Sequence, residues 1–176
     1  MAGGVKGGWR NRIVGHGEEA PDQLLANALN WRIHPKAQQE ALSGVLDEVG
    51  WVQDIIVNQR TGNVVDGHLR ASLAISKGEA AVPVVYVDLS EHEERLILAT
   101  IDPLAAMAAT DTDQLAALLA EVTVTDQALT EMLAGLAQGA GISPPDFGAV
   151  GADEQGRLDQ KAPVICPECG HEFIPS

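Results

Sequence analysis

The segment Val64-Val65-Asp66-Gly67-His68-Leu69-Arg70-Ala71 constrains this chain more than any other. Two β-branched residues, then Asp-Gly, then a helix-favouring run read as a short strand that turns through glycine straight into a helix. Ile55-Ile56-Val57 and a Thr61-Gly62-Asn63 turn precede it, and a further apolar strand follows about a dozen residues later. Such a junction aims the unpaired N–H groups and partial positive charge of a helix start at one point in space. A His and an Arg stand at that point, an arrangement that suits phosphate or another anion.

The neighbouring segments give that junction a setting. Arg12-Ile13-Val14 reads as a first strand, and residues 21–29 as a loop with one helical turn. Ala41, Leu42, Val45, Leu46 and Val49 form an apolar stripe of helical period that Gly50 ends. Residues 52–58 and Val64-Val65 read as strands around a turn, His68 to Lys77 as a helix closed by Gly78, and residues 82–87 as another strand. Ser90-Glu91-His92-Glu93 has the spacing of a capping box and opens a helix to about Thr100, which Pro103 is expected to break or kink at Asp102. Two Leu/Ala-rich helices follow, Thr112 to Glu121 and Asp126 to Gln138, with Asp111 and Thr125 as caps. They form a helical hairpin packed on the domain or on a second copy.

The expected organisation is thus a flexible tail over 1–11, an α/β domain with a small mixed sheet over 12–110 and the hairpin over 111–138. A Gly/Pro-rich linker over 139–161 and a small module over 162–176 complete it. The 176 residues suffice for one domain with appendages, and 45% hydrophobic content supports a core. With 3% aromatics, that core must be aliphatic.

The formal charge of −14 is unevenly spread: residues 1–36 carry five Lys/Arg against three Asp/Glu, and residues 90–176 three against fifteen. An acidic C-terminal half is a poor surface for DNA, because non-specific affinity comes from neutralising phosphates. Any nucleic-acid contact would use the N-terminal part or a partner protein. No run of about 18 apolar residues exists, so no membrane span is expected. Residues 1–8 lack the apolar core of a signal peptide, and the expectation is a soluble cytoplasmic protein.

Several residues carry two readings. Gly67, His68 and Arg70 form either an anion seat or a structural turn whose side chains pair with carboxylates. Asp66 is either an N-cap for its own turn or a catalytic or metal-binding acid, and Asp102 is divided between helix-end chemistry and holding a cation. Arg32 is read as a clamp on phosphate. Trp31 and His34 are the other candidates for lining a pocket there, but a structural role is expected of both, with Trp31 plugging the core under a loop; Trp51 is expected in the core or at an interface. Glu91, Glu93 and Glu94 are read as first-turn acids that favour the helix dipole rather than as metal ligands.

Four blocks in order over about a hundred residues carry a family resemblance. They are Asn30-Trp31-Arg32-Ile33-His34-Pro35, Gly50-Trp51-Val52-Gln53-Asp54-Ile55-Ile56-Val57, Val65-Asp66-Gly67-His68-Leu69-Arg70-Ala71 and Val82-Pro83-Val84-Val85. From Arg12 to about Ala109 the chain resembles the ParB N-terminal, or ParB/sulfiredoxin-like, domain family, in the small form found in phages and mobile elements. In that family the blocks read Asn-Pro-x-Arg, Gly-x-x-Gln-Pro-Ile-x-Val, Asp-Gly-His/Glu-Arg-Arg and Val-Pro-Val; here Asp54 replaces the usual proline.

The resemblance implies a nucleotide, CTP or similar, with Mg2+. Gly67, His68 and Arg70 would meet phosphate, and Arg32 and Gln53 would lie near the base, ribose or phosphates. Sulfiredoxins carry a catalytic cysteine where this chain has Gly67-His68, so their chemistry is not expected. CTP-hydrolysing ParB proteins carry Glu-Asn-x-x-Arg after the third strand. This chain has Ala99-Thr100-Ile101-Asp102-Pro103 at roughly that place, leaving Asp102 to reach a cation.

Cys166-Pro167-Glu168-Cys169-Gly170-His171-Glu172-Phe173 reads as a zinc knuckle resembling half a zinc ribbon. A structural Zn2+ needs four ligands. Cys166, Cys169 and His171 supply three at most, and a second chain or another His or carboxylate would complete the set. A redox dithiol and a metal-free tail are the alternatives.

Three functions follow as expectations. The first is nucleotide or phosphate binding in phage or bacterial DNA transactions, with DNA reached directly or through a partner such as a methyltransferase. The second is a nuclease or nucleotide hydrolase that uses Asp66, His68 and Asp102. The third is an adaptor recruiting partners through the helices and zinc tail. A homodimer is compatible with each.

Overall fold

The computed structural model describes residues 8–148, together with the backbone of two strands further on, Val164–Ile165 and Glu172–Phe173. The fold is α/β. Strand β1 (Ile13–Glu19) leads into a 3-10 turn at Pro21–Gln23, helix α1 (Lys36–Glu48), β2 (Ile55–Asn58) and β3 (Val64–Asp66). Helix α2 (His68–Lys77), β4 (Val82–Val87) and α3 (Glu91–Ala106) follow, then the helices α4 (Thr112–Glu121) and α5 (Gln127–Gly139). The four strands form one mixed sheet in the order β1-β4-β2-β3. β2 runs parallel to β4 and antiparallel to β3, and β1 is antiparallel to β4.

β4 runs parallel to β2 because two reversals separate them: the turn after β2 sets β3 antiparallel to it, and α2 then carries the chain to the far side of β2, where β4 runs opposite to β3. Ile55, Val57, Val64, Val82 and Val84 therefore bury against Ala71 and Ala74 of α2, with Leu24, Trp51 and Tyr86 at the margin. Small alanines on α2 let the helix approach β-branched side chains closely. A second hydrophobic core lies under the helical hairpin, where Leu119, Val124, Leu129, Ala137 and Phe147 pack with Val45 of α1.

Helix boundaries match their local chemistry at most points. Gly67 (φ +92) and Gly78 (φ +78) bracket α2 in left-handed conformations that glycine adopts without strain. The capping box at α3 is complete: Ser90 Oγ accepts from the Glu93 amide, and the Glu93 carboxylate accepts from the Ser90 amide at 2.8 Å.

Four expectations are corrected. Helix α3 does not end before Pro103 but runs through it to Ala106. Proline forfeits only its own N–H bond, and the Met107 amide closes the next turn on the Pro103 carbonyl at 3.1 Å. Asp126, not Thr125, caps α5, its carboxylate accepting from the Leu129 amide at 2.8 Å. Thr125 instead donates through its amide and hydroxyl to Glu48 of α1. Strand β1 runs on from Val14 to Glu19 because its backbone pairs with β4 from Ile13 to Glu19. β2 starts at Ile55 rather than at residue 52, where its pairing with Val84 begins.

The stretch read as a linker begins with residues that the fold uses. Phe147 is 2% exposed, and its carbonyl accepts from the Val124 amide at 2.9 Å. Val164–Ile165 and Glu172–Phe173 pair as antiparallel strands, whereas Cys166, Cys169 and His171 lie outside the described residues. No helix among the described residues is long and apolar enough to cross a membrane.

Candidate functional site

The end of β3, the start of α2, the loop over 24–35 and the middle of α3 enclose a cavity of about 150 Å3. Arg32, Asp66, Gly67, His68, Arg70 and Asp102 line it, so six of the seven residues expected at the nucleotide site meet in one place, Gln53 being the seventh. The loop over 24–35 adds Asn30 and also His34, of which only a structural role is expected from the sequence, and α1 adds Gln38 and Leu42.

Gly67 shapes the floor. A Cβ there would stand 3.1 Å from Arg70 Nη2 and 3.2 Å from Ile55 Cγ1, in a backbone conformation L-residues rarely adopt. The first turn of α2 carries no side-chain cap, so the N-cap expected of Asp66 is not formed. Asp66 instead takes Arg70, one helical turn on, at 2.8 Å. The guanidinium also donates to Gln53 Oε1 at 3.0 Å and to the Asp54 carbonyl at 3.4 Å. These bonds hold Arg70 flat against the base of the cavity, and its Nε is buried with no partner among the described residues. Gln53 thus supports Arg70 from behind and does not line the cavity.

Arg32 faces the cavity from the loop, paired with Asp102 of α3. Its guanidinium lies 5.8 Å from the centroid of the Trp31 ring, within cation–π range. Trp31 is 59% exposed rather than in the core. Its indole N–H reaches the Leu98 carbonyl at 3.1 Å, and that bond holds the ring against α3 without covering it. Trp51 does pack against the core of the sheet.

His68 lines the cavity and hydrogen-bonds back to the loop. Its Nε2 accepts the Asn27 amide at 3.4 Å. Burial pushes the imidazole below its ordinary value of 6.5; Asp66 opposes this, the neighbouring His34 reinforces it, and Asp102 and the Val64 carbonyl oppose it. The ring is therefore neutral at pH 7 and acts as a hydrogen-bond acceptor.

One cluster was not legible as such in the sequence. Glu94, Asn27 and Asn58 are 5%, 6% and 0% exposed and are the buried polar residues among those described. The Glu94 carboxylate accepts from Asn27 at 2.7 Å, Asn58 at 2.5 Å, Thr61 at 2.7 Å and Asn63 at 3.4 Å. Burial raises its pKa, but the bonds from Thr61, Asn58, Asn27 and Asn63 outweigh that and hold it below the ordinary 4.5. The sequence signal is Asn58, Thr61 and Asn63, three neutral side-chain donors in one short turn. Among the described residues, no three His, Cys, Asp or Glu side chains are grouped to hold a metal ion.

No family model matches the sequence, and no curated protein matches it. Among solved structures the chain is similar to the C-terminally truncated chromosome-partitioning protein ParB from Caulobacter crescentus complexed with CTP-gamma-S. The identity is 23% over 74% of this chain and 73% of that one, with a TM-score of 0.46. It is also similar to the N-terminal domain of a pNOB8-like ParB in two structures, each with 15% identity and a TM-score of 0.45. Those alignments cover 76% and 78% of this chain and 66% and 63% of the other.

Proposed function

We propose that the cavity at the start of α2 binds the phosphates of a nucleotide, in a protein that serves the DNA transactions of a phage or bacterium. The observation that carries this reading is the meeting of Arg32 with the uncapped first turn of α2 over Gly67. Backbone N–H groups with no internal partner and a guanidinium on the facing wall are complementary to a tetrahedral anion. Arg70 contributes fixed positive charge from below, while Asp66 balances part of it.

Size refines the reading. A cavity of about 150 Å3 is below the roughly 300 Å3 at which pockets begin to bury a drug-sized ligand. The phosphate end fits inside, and the nucleoside lies along the loop that carries Asn30 and Arg32. CTP is the first nucleotide to test, because the four sequence blocks resemble ParB domains.

Calorimetric titration with CTP, ATP, GTP, UTP and inorganic triphosphate, with and without Mg2+, tests the proposal. Arg32→Ala is expected to weaken binding about tenfold or more, since a hydrogen bond to a charged group contributes about 1.5–3 kcal/mol. Absence of binding by the native protein to every one of these ligands overturns it.

An adaptor reading has its own support. Leu96 and Leu104 on α3 and Met107 just after it are exposed, and Leu42, Val45 and Met132 line an open apolar groove between α1 and α5. Loss of partner capture in a Leu104→Asp, Met107→Asp variant that still binds nucleotide would favour it.

A further inference from the structure

The buried cluster around Glu94 does not touch the cavity, yet hydrogen bonds from it reach two of the cavity's walls. On one side, Glu94 holds the Asn27 side-chain amide at 2.7 Å. Asn27 in turn fixes the loop: its side-chain oxygen accepts the Leu29 amide at 3.0 Å, and its carbonyl accepts the Asn30 amide at 3.0 Å. The Asn30 side chain then accepts the Arg32 amide at 3.3 Å. The Asn27 backbone N–H is also the group that His68 Nε2 receives.

On the other side, Glu94 belongs to α3, and Leu98, Ile101 and Asp102 of that helix line the cavity one and two turns further on. The carboxylate thus stands where the loop, the β2–β3 turn and α3 are joined.

Packing alone does not account for it. Removing a carboxylate from water is costly, and an apolar side chain of similar size would fill the space more favourably. A carboxylate has about four acceptor sites, and here all are used by neutral donors from two separate segments. Fully satisfied polar clusters of this kind impose one geometry on the segments they join.

We propose that Glu94 is a positioning residue for the phosphate pocket: through Asn27 and through α3 it sets the placement of Arg32, His68 and Asp102 relative to one another. The proposal rests on the pocket reading above. Glu94 itself makes no contact with ligand.

The test uses the full chain with three substitutions, each assayed well below its own melting temperature. Glu94→Gln places an amide N–H₂ against donors, and Asn27→Ala removes the same link from the loop side. Glu93→Ala removes the capping box on the same turn of α3 without touching the cluster. Affinity for CTP and for inorganic triphosphate is measured by calorimetry, and the His68 imidazole nitrogens are followed by NMR.

Glu94→Gln and Asn27→Ala are expected to shift the His68 nitrogen resonances and to weaken binding about tenfold or more, the scale on which supporting partners act at ligand sites. Glu93→Ala should lower the melting temperature with affinity within twofold of native. Native affinity and unmoved His68 resonances in a folded Glu94→Gln overturn the proposal, as does an equal loss of affinity in Glu93→Ala. If the native protein binds neither ligand, the pocket reading has failed. The Glu94 link is then decided on His68, whose unmoved resonances in Glu94→Gln and Asn27→Ala overturn it.

Discussion

The Arg32 guanidinium and the Asp102 carboxylate pair across the mouth of the cavity, and each side chain is 34% exposed. An incoming anion must therefore compete with a carboxylate already in place. A pair this exposed is worth about 0.2–1 kcal/mol. Asp102→Asn should accordingly tighten binding of inorganic triphosphate in metal-free buffer by up to about fivefold. Calorimetry in the presence of EDTA checks this, and weaker binding by the variant would assign Asp102 a direct part in holding ligand.

The two glycines that bracket α2 separate backbone strain from crowding. Both sit at positive φ, but a Cβ at Gly78 meets nothing within 4 Å, whereas one at Gly67 meets Arg70 and Ile55. Gly78→Ala should cost about 1–2 kcal/mol, the penalty for a left-handed L-residue. Gly67→Ala should cost more and should displace Arg70. Urea denaturation of both variants gives the difference, and equal losses would mean that the Arg70 contact yields freely.

Stability should depend on pH in two windows. His68 is depressed below 6.5 in the folded protein, chiefly by burial. The unfolded chain therefore takes up its proton first, and the contribution, fully present above 6.5, is lost as pH falls through the folded value. Glu94 and Glu93 lie below 4.5, and Asp88, held by Arg60, is lowered to about 2. Their contributions are present above the ordinary carboxylate range and disappear as pH drops below it. Thermal melts between pH 8 and pH 3 should show both losses, and His68→Gln should remove the upper one only.

Phe147 closes the core beneath the hairpin. Phe147→Ala should destabilise the protein by about 3–5 kcal/mol, as for other buried phenylalanines. A loss below about 1 kcal/mol in urea would show that the segment after α5 adds little to the fold.

Much of the architecture was legible because local signals and tertiary demands coincide. Gly67 and Gly78 mark both ends of α2, and Ser90 with Glu93 marks the start of α3, since capping chemistry is settled within four residues. The cavity was legible through its charged side chains, which cluster around one strand–helix junction. Glu94 was not. Its first-turn position is equally consistent with a solvated acid, and its three donors in the β2–β3 turn reach it only through the tertiary fold. Trp31 was misplaced for a similar reason: size argues for burial, but a single indole hydrogen bond keeps the ring at the surface. Pro103 shows that the proline rule describes an average cost, which a helix with a sound turn on either side can bear.

The sheet core and the hairpin core meet along α1, which touches both α2 and α5 and gives Val45 to the hairpin side. A molecule built on two such nuclei need not open all at once. The hairpin can detach and re-close while the strands stay paired, so amide protons in α4 and α5 should exchange with solvent through smaller excursions than those of β2 and β4. Because the lower-lying opening leaves β3 and the start of α2 in place, the ligand cavity would persist through fluctuations that erase a third of the helical content.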